Sequence, residues 1–267
     1  MTAHNPSPHH WAKRQYDSQD FENMRNNGIC AGLDGLTNVD GNLGKIDQKY
    51  AEHLSQLWTI ITERFIQSPA FVDKVYRVGV GNPPYVQYGG HKLTHSDVTN
   101  LFNAWRITRY VDDPKHIVEI GGGFGCLTAQ LKRFYPKCKF TMIDLEDSLE
   151  IQRYYLKESL DNLNDFSFKQ DMEGIEQADL VINIRSMMEM TPEQIEYYIN
   201  HIQSMDTKWF YCVNRYSKHM TKLREYPFDD DWIPYVSQSL PGQDHIHEYL
   251  LKRGDGRFTN QLRTLRL

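Results

Sequence analysis

The chain has 267 residues, 40% hydrophobic and 12% aromatic, and its 30 basic and 35 acidic side chains leave a formal charge of -5. That is enough apolar material for a full core, and neither sign of charge gathers in a block, which argues against a nucleic-acid backbone as main partner. Cys30, Cys126, Cys138 and Cys212 form no CxxC pair, "MTAHNPSPHHWAKRQYDSQD" lacks a signal-peptide core, and no apolar run reaches bilayer length, so a cytoplasmic protein with reduced thiols and no membrane insertion is expected.

The first forty-odd residues, ending in "GICAGLDGLTNVDGNLG", read as loop because glycines interrupt every period. From Asp47 to about Tyr76, apolar residues at Tyr50, Leu54, Leu57, Trp58, Ile61, Phe65 and Phe71 recur at helical spacing and predict one or two amphipathic helices. Gly79 to Asp97 breaks that pattern, and Thr94 or Ser96 can cap a helix from Asp97 to about Tyr110. Residues 1–112 are thus expected to form an arm and a helical lid, and 113–267 a second domain.

From His116 the texture alternates. "HIVEI", Phe124 to Phe134, "KFTMID", Glu146 to Leu160, "FSFKQ", "ADLVINI", Pro192 to Ser204 and "KWFYCVN" predict a doubly wound, mostly parallel α/β sheet. Beyond Asn214 a turn-rich aromatic stretch runs to about Gly242. "HIHEYLLKR" and "RFTNQLRTLRL", around Gly254 and Gly256, then read as an antiparallel hairpin at the sheet edge.

In such a sheet, ligands sit beyond the carboxyl ends of the strands. "EIGGGFG" ends the first of them, and its glycines let backbone amides approach a ligand at a helix N-terminus. A dinucleotide fingerprint counted from Gly121 would need glycine where Cys126 stands; the pattern is instead Glu119, Gly121, Gly123, Gly125. Asp144 ends the next strand, where a carboxylate can accept ribose hydroxyls, and Asp171 with Met172 follows the third, placed to bond and cover an adenine. An anion before the turn suits a cationic nucleoside such as S-adenosylmethionine better than a pyrophosphate. Taken singly, these are ordinary turns and caps, Asp144 included; their joint placement favours the methyl donor over an NAD-type oxidoreductase.

The His116 to Asp144 block resembles the donor-binding half of class I S-adenosylmethionine-dependent methyltransferases. "DLEDSLEIQRYYL" and "VINIRSMMEMTPEQIEYYI" are similar to the sugar O-methyltransferase family associated with bacterial surface-polysaccharide clusters, through Asp144, Leu145, Gln152, Tyr155, Leu156, Asn183, Ser186, Glu189 and Met190. Glu146 replaces that family's usual proline. The resemblance implies methyl transfer to a hydroxyl of a sugar, nucleotide-linked sugar or related metabolite. A degenerate, non-catalytic binding subunit would carry the same motifs.

Methyl transfer needs an acceptor aligned with the sulfonium and, for a weakly acidic hydroxyl, a base. Asn183 and Ser186 can hold the donor's methionine portion or an acceptor hydroxyl, and the resemblance adds Leu145 to the cofactor-binding residues. Glu189 can act as base or serve a cap, because Ser186 and Glu189 have capping-box spacing, as do Thr191 and Gln194. Arg185 can meet an acidic acceptor group or lie on the surface. His91 and His95 in the glycine-bearing loop, and His245 and His247 on one face of "HIHEYLLKR", are further bases, His91 and His245 foremost. The short His245/His247 spacing does not single out a metal site. Tyr85, Tyr88, Tyr211, Tyr216, Tyr226, Trp232 and Tyr235 suit a sugar-binding wall or packing between lid and sheet, with Tyr85, Tyr88 and Tyr216 the substrate candidates.

Overall fold

The computed structural model describes residues 48–77, 80, 83, 85–215, 228–229, 231–240 and 243–254, the side chains of 215 and 243–245 apart. The first amphipathic stretch is two helices with a break. α1 (Gln48–Thr59) runs into a π-helical segment, Ile60–Ile66, which Gln67 stops with a left-handed φ of 51°. Ser68 then accepts a bond from the Phe71 N–H, and Pro69, which has no N–H to lose, opens α2 (Pro69–Val75). Leu54, Leu57, Trp58 and Ile61 of the predicted stripe are buried, and Tyr50, Phe65 and Phe71 pack half-buried against the same core.

The segment read as an unbroken loop contains a hairpin, β1 (Val86–Tyr88) and β2 (His91–Leu93). Gly89 and Gly90 turn it with φ of 55° and 82°, the two positive values that a two-residue turn demands. Thr94, not Ser96, caps α3 (His95–Thr108), accepting from the Asp97 N–H at 3.2 Å.

The sheet strands follow: β3 (His116–Ile120), β4 (Lys139–Ile143), β5 (Phe166–Lys169), β6 (Gln177–Ile184), β7 (Asp206–Arg215), β8 (Trp232–Leu240) and β9 (Gln243–Arg253). They lie in the order β5-β4-β3-β6-β7-β9-β8, parallel from β5 to β7, with β9 antiparallel to both of its neighbours. The expected doubly wound sheet is therefore present. Its hairpin is different: "HIHEYLLKR" pairs with the upstream strand β8, in the stretch read as loop, while 255–267 lies outside the described residues. Pro234 and a register shift disguised β8, and both are tolerated because β8 is the edge.

Helices α4 (Cys126–Phe134), α5 (Glu146–Ser159) and α6 (Pro192–Ser204) link the parallel strands. Side chains alternate across each strand, so Val118, Ile120 and Val181 meet Ile195, Ile199 and Ile202 of α6 on one face. Ile117, Phe140 and Ile182 face the other way, toward a core shared with α1 to α5. Thr191 and Gln194 make the predicted reciprocal cap of α6. Tyr211, expected near a loop, is fully buried within β7, because its hydroxyl is satisfied there: it donates to Glu248 Oε1 at 2.9 Å and lies 3.1 Å from Asn103 Oδ1.

Candidate functional site

β3 pairs with both β4 and β6, so strand order reverses beside its carboxyl end. The glycine turn occupies that point. Gly121, Gly123 and Gly125 have φ of 69°, 59° and 94°, a region L side chains avoid. Their surroundings differ in kind. A Cβ on Gly121 would lie 2.0 Å from Ser186 Oγ, and one on Gly125 3.1 Å from Leu156 Cγ, so both glycines serve packing. A Cβ on Gly123 would meet nothing within 4 Å, which leaves its outward face open to a ligand.

Glu119 sits beneath this turn, almost without solvent contact, and accepts a hydrogen bond from Thr128 of α4. Burial pushes its carboxyl up to about 7, with the Thr128 bond opposing and the charge of Asp144 reinforcing the shift. Asp144, at the end of β4, is held at both oxygens: Oδ1 accepts from the Leu145 N–H at 2.9 Å and Oδ2 from Gln152 Nε2 at 2.8 Å. Burial raises it to about 6 in spite of these bonds. The same Gln152 nitrogen donates to Gly123 O at 3.0 Å, tying the Asp144 carboxylate to the turn. Asp144 is thus no helix cap, since α5 has Leu145 at that position and no side-chain cap bond.

Asp171 bends the chain after β5, accepting from the Glu173 N–H at 2.9 Å, and Met172 is buried beside it. Tyr198 of α6 leans toward both loops. Burial, then the charges of Asp144, Tyr197 and Asp171, push its phenol up to about 12.

The turn after β6 forms the opposite wall. Asn183 is fully buried and spent on protein: Nδ2 donates to Ile120 O at 2.9 Å, and Oδ1 accepts from the Met187 N–H at 3.1 Å and Asn214 Nδ2 at 3.0 Å. It locks the ends of β3, β6 and β7 together and positions the turn. Ser186 precedes a 3-10 turn, Met187–Glu189, without a side-chain cap bond, so the capping role weighed for that pair is not observed. Among the described residues, no hydrogen bond or ion pair engages the half-buried Glu189 carboxylate.

The remaining candidates scatter. His91 packs from the β1/β2 hairpin against the helical region, its ring 4.8 Å from that of Trp58 and 6.2 Å from Tyr76. Tyr85 and Tyr88 are exposed on the hairpin, the first under Lys92 Nζ and the second bonded to Thr59 Oγ1 at 3.2 Å. His247 lies 3.1 Å from Ser237 Oγ in the β8/β9 hairpin, while Tyr216, Tyr226 and the His245 side chain fall outside the described residues. Trp232 and Tyr235 belong to edge strand β8. His95 opens α3, and its imidazole is lowered to about 4 by burial, then by the charges of Arg185 and His53. Thr128 and Tyr198 carried no motif signal. Gln152 did, as a matching position of the family resemblance in "QRYYL", though without a role.

Residues 91–204 match the model of an O-methyltransferase domain. No curated protein matches the sequence. Among solved structures, the mitomycin 7-O-methyltransferase MmcR is 14% identical, with 60% of this chain aligned to 57% of that one at a TM-score of 0.43. The pyocyanin biosynthetic protein PhzM is 18% identical over 59% of this chain and 56% of its own, at 0.45. PH0226 of Pyrococcus horikoshii OT3 is 13% identical over 59% and 90%, also at 0.45. The chain spans a little over half the length of the first two. No helix among the described residues is long and apolar enough to cross a membrane.

Proposed function

We propose that this chain, whose residues 91–204 form an O-methyltransferase domain of the class I, S-adenosylmethionine-dependent kind, transfers the donor's methyl group to a hydroxyl of a small polar metabolite. The finer reading is a sugar or nucleotide-linked sugar in bacterial surface-polysaccharide biosynthesis, supported by the "DLEDSLEIQRYYL" and "VINIRSMMEM" segments. One observation carries the donor assignment. A buried carboxylate, Glu119, underlies a turn whose central glycine is open to a ligand. A diphosphate would be repelled there, whereas a sulfonium with its α-ammonium gains from it.

In this reading Asp144 accepts the ribose hydroxyls, Asp171 and Met172 meet the adenine, and Gly121 to Gly125 with Ser186 border the methionine portion. The donor supplies an electrophilic methyl carbon; the chain supplies alignment, which can lower the barrier by about 7–11 kcal/mol. Glu189, on the wall where no other side chain claims it, is a candidate base for the acceptor proton. Calorimetry with S-adenosylhomocysteine and with NAD separates the two nucleotide classes. Binding of the first and not the second is expected, and the reverse would end the donor assignment. Incubation of a metabolite pool with enzyme and isotopically labelled donor then identifies the acceptor by mass spectrometry.

A further inference from the structure

Helices α4, α5 and α6 fill the crossovers after β3, β4 and β6, whereas β5 reaches β6 through residues 170–176 alone. Met172 and Ile175 of that short crossover pack with Val118, Ile120 and Ile143 toward the carboxyl ends of the strands. Toward the amino ends the same face turns polar. His116 lies two residues before Val118, Thr141 lies opposite Val118, and Ser167 lies opposite Thr141, so strand alternation puts all three side chains on it. A parallel sheet usually buries such a face in apolar side chains. Here a chain of hydrogen bonds crosses it instead: His116 Nδ1 to Gln177 O, His116 Nε2 to Thr141 Oγ1, and Thr141 Oγ1 to Ser167 Oγ, each 2.8 Å long.

With a neutral ring the chain has one direction. A carbonyl oxygen only accepts, so Gln177 fixes the ring proton on Nδ1 and leaves Nε2 an acceptor. Thr141 therefore donates to Nε2 and, its single proton spent, accepts from Ser167. Thr141 is buried, while Ser167 is exposed on the edge strand β5, with its proton drawn inward and its lone pairs toward solvent. A hydroxyl, a base within its reach and a third group that orients the base make the pattern of an activated nucleophile.

We propose that Ser167 is a covalent modification site, acylated by carboxylic acids activated as esters or thioesters, with His116 as the base acting through Thr141. The serine oxygen bonds to the acyl carbon as its proton passes to Thr141 Oγ1 and the Thr141 proton to His116 Nε2. The bond from the acyl carbon to the leaving oxygen or sulfur then breaks, its electron pair departs with that atom, and the imidazolium returns the proton to it. The products are an acyl-serine and a free alcohol or thiol. Thr141 lies three residues before Asp144, about 10 Å along β4, so this site is separate from the glycine turn and independent of the methyl-transfer reading.

The test is a time course of the full chain with 4-nitrophenyl acetate, digested and mapped by mass spectrometry. Ser204 is the internal control, since it is exposed too but spends its proton on His201 O. Acetylation of Ser167 should outrun that of Ser204 by roughly 100-fold, the lower end of what a general base supplies. Thr141→Val, close to threonine in shape, cuts the relay in the middle and should bring the Ser167 rate down to that of Ser204. His116→Asn cuts it at the base and should do the same, which answers the question if the valine variant melts early. Acetylation of Ser167 at the rate of Ser204 in the wild type, or an undiminished Ser167 rate in either folded variant, overturns the proposal.

Discussion

Ser186 occupies the space that a side chain on Gly121 would need, with Oγ 2.0 Å and Cβ 2.2 Å from the ideal Cβ position. Gly121→Ala must therefore expel Ser186 as well as strain a φ of 69°. Gly123→Ala carries similar backbone strain, with a φ of 59°, but meets open space. Each pays about 1–2 kcal/mol for the left-handed backbone, and only Gly121→Ala adds a clash. Thermal melts should show Gly121→Ala the less stable of the two, with partial recovery in Gly121→Ala/Ser186→Gly. Gly123→Ala should keep most of its stability and lose nucleoside affinity in calorimetry. Unchanged affinity would show that the open face of Gly123 is not where the ligand lies.

Glu119 makes the unliganded protein sensitive to pH. Its carboxyl is raised from 4.5 to about 7 by burial, so the folded state holds a proton that the unfolded state has released. Its contribution is present at low pH and is lost as pH rises between those two values, by about 3 kcal/mol. A cationic ligand favours the ionised form, so donor affinity should rise with pH through the same window and binding should release protons. Melts of wild type and Glu119→Gln from pH 5 to about 8 check the first point, the glutamine variant having the flatter profile. Calorimetry in buffers of different ionisation enthalpy checks the second.

Gln152 joins Asp144 to the glycine turn, the two halves of the proposed donor site, through one nitrogen, which reaches Asp144 Oδ2 and Gly123 O, while its Oε1 is buried without a hydrogen-bond partner among the described residues. Gln152→Leu keeps the volume and removes both bonds. Each such bond contributes about 0.5–1.5 kcal/mol, more to a charged acceptor, so nucleoside affinity should fall roughly tenfold by calorimetry. Equal affinity in wild type and variant would separate Gln152 from the ligand site and leave it a purely internal brace.

The parts of the site legible in sequence were those set by backbone. Glycines at 121, 123 and 125 announced positive φ, and the placement of Asp144 and Asp171 just beyond β4 and β5 was legible because strand ends follow from the β-α alternation. Roles set by tertiary contact were not legible. Asn183 carries the same amide whether it binds a ligand or locks three strands, and only the bonds to Ile120, Met187 and Asn214 tell which. His91 and His95 lie in one short segment, yet a cap at Thr94 separates a hairpin histidine packed at a tilt against Trp58 from one opening a helix. Strand β8 was hidden by Pro234, whose presence an edge permits and a sequence period penalises.

Arg106 and Glu248 bind the helical N-terminal region to the C-terminal hairpin. Arg106 Nε donates to Glu248 Oε1 at 2.9 Å, Gln238 Nε2 to Oε2 at 2.9 Å, and Tyr211 adds its hydroxyl, all around a carboxylate with no solvent exposure. Burial raises the Glu248 pKa against the pull of Arg106, so the pair is costly to bury and costlier to break. Glu248→Ala leaves the guanidinium facing a dry pocket and should destabilise by about 3–5 kcal/mol in urea unfolding. Arg106→Met/Glu248→Leu, which removes both charges at similar volume, should recover most of that loss. If the double variant is as unstable as the sum of the single ones, the two residues act independently and the brace between helix α3 and strand β9 is carried by packing alone.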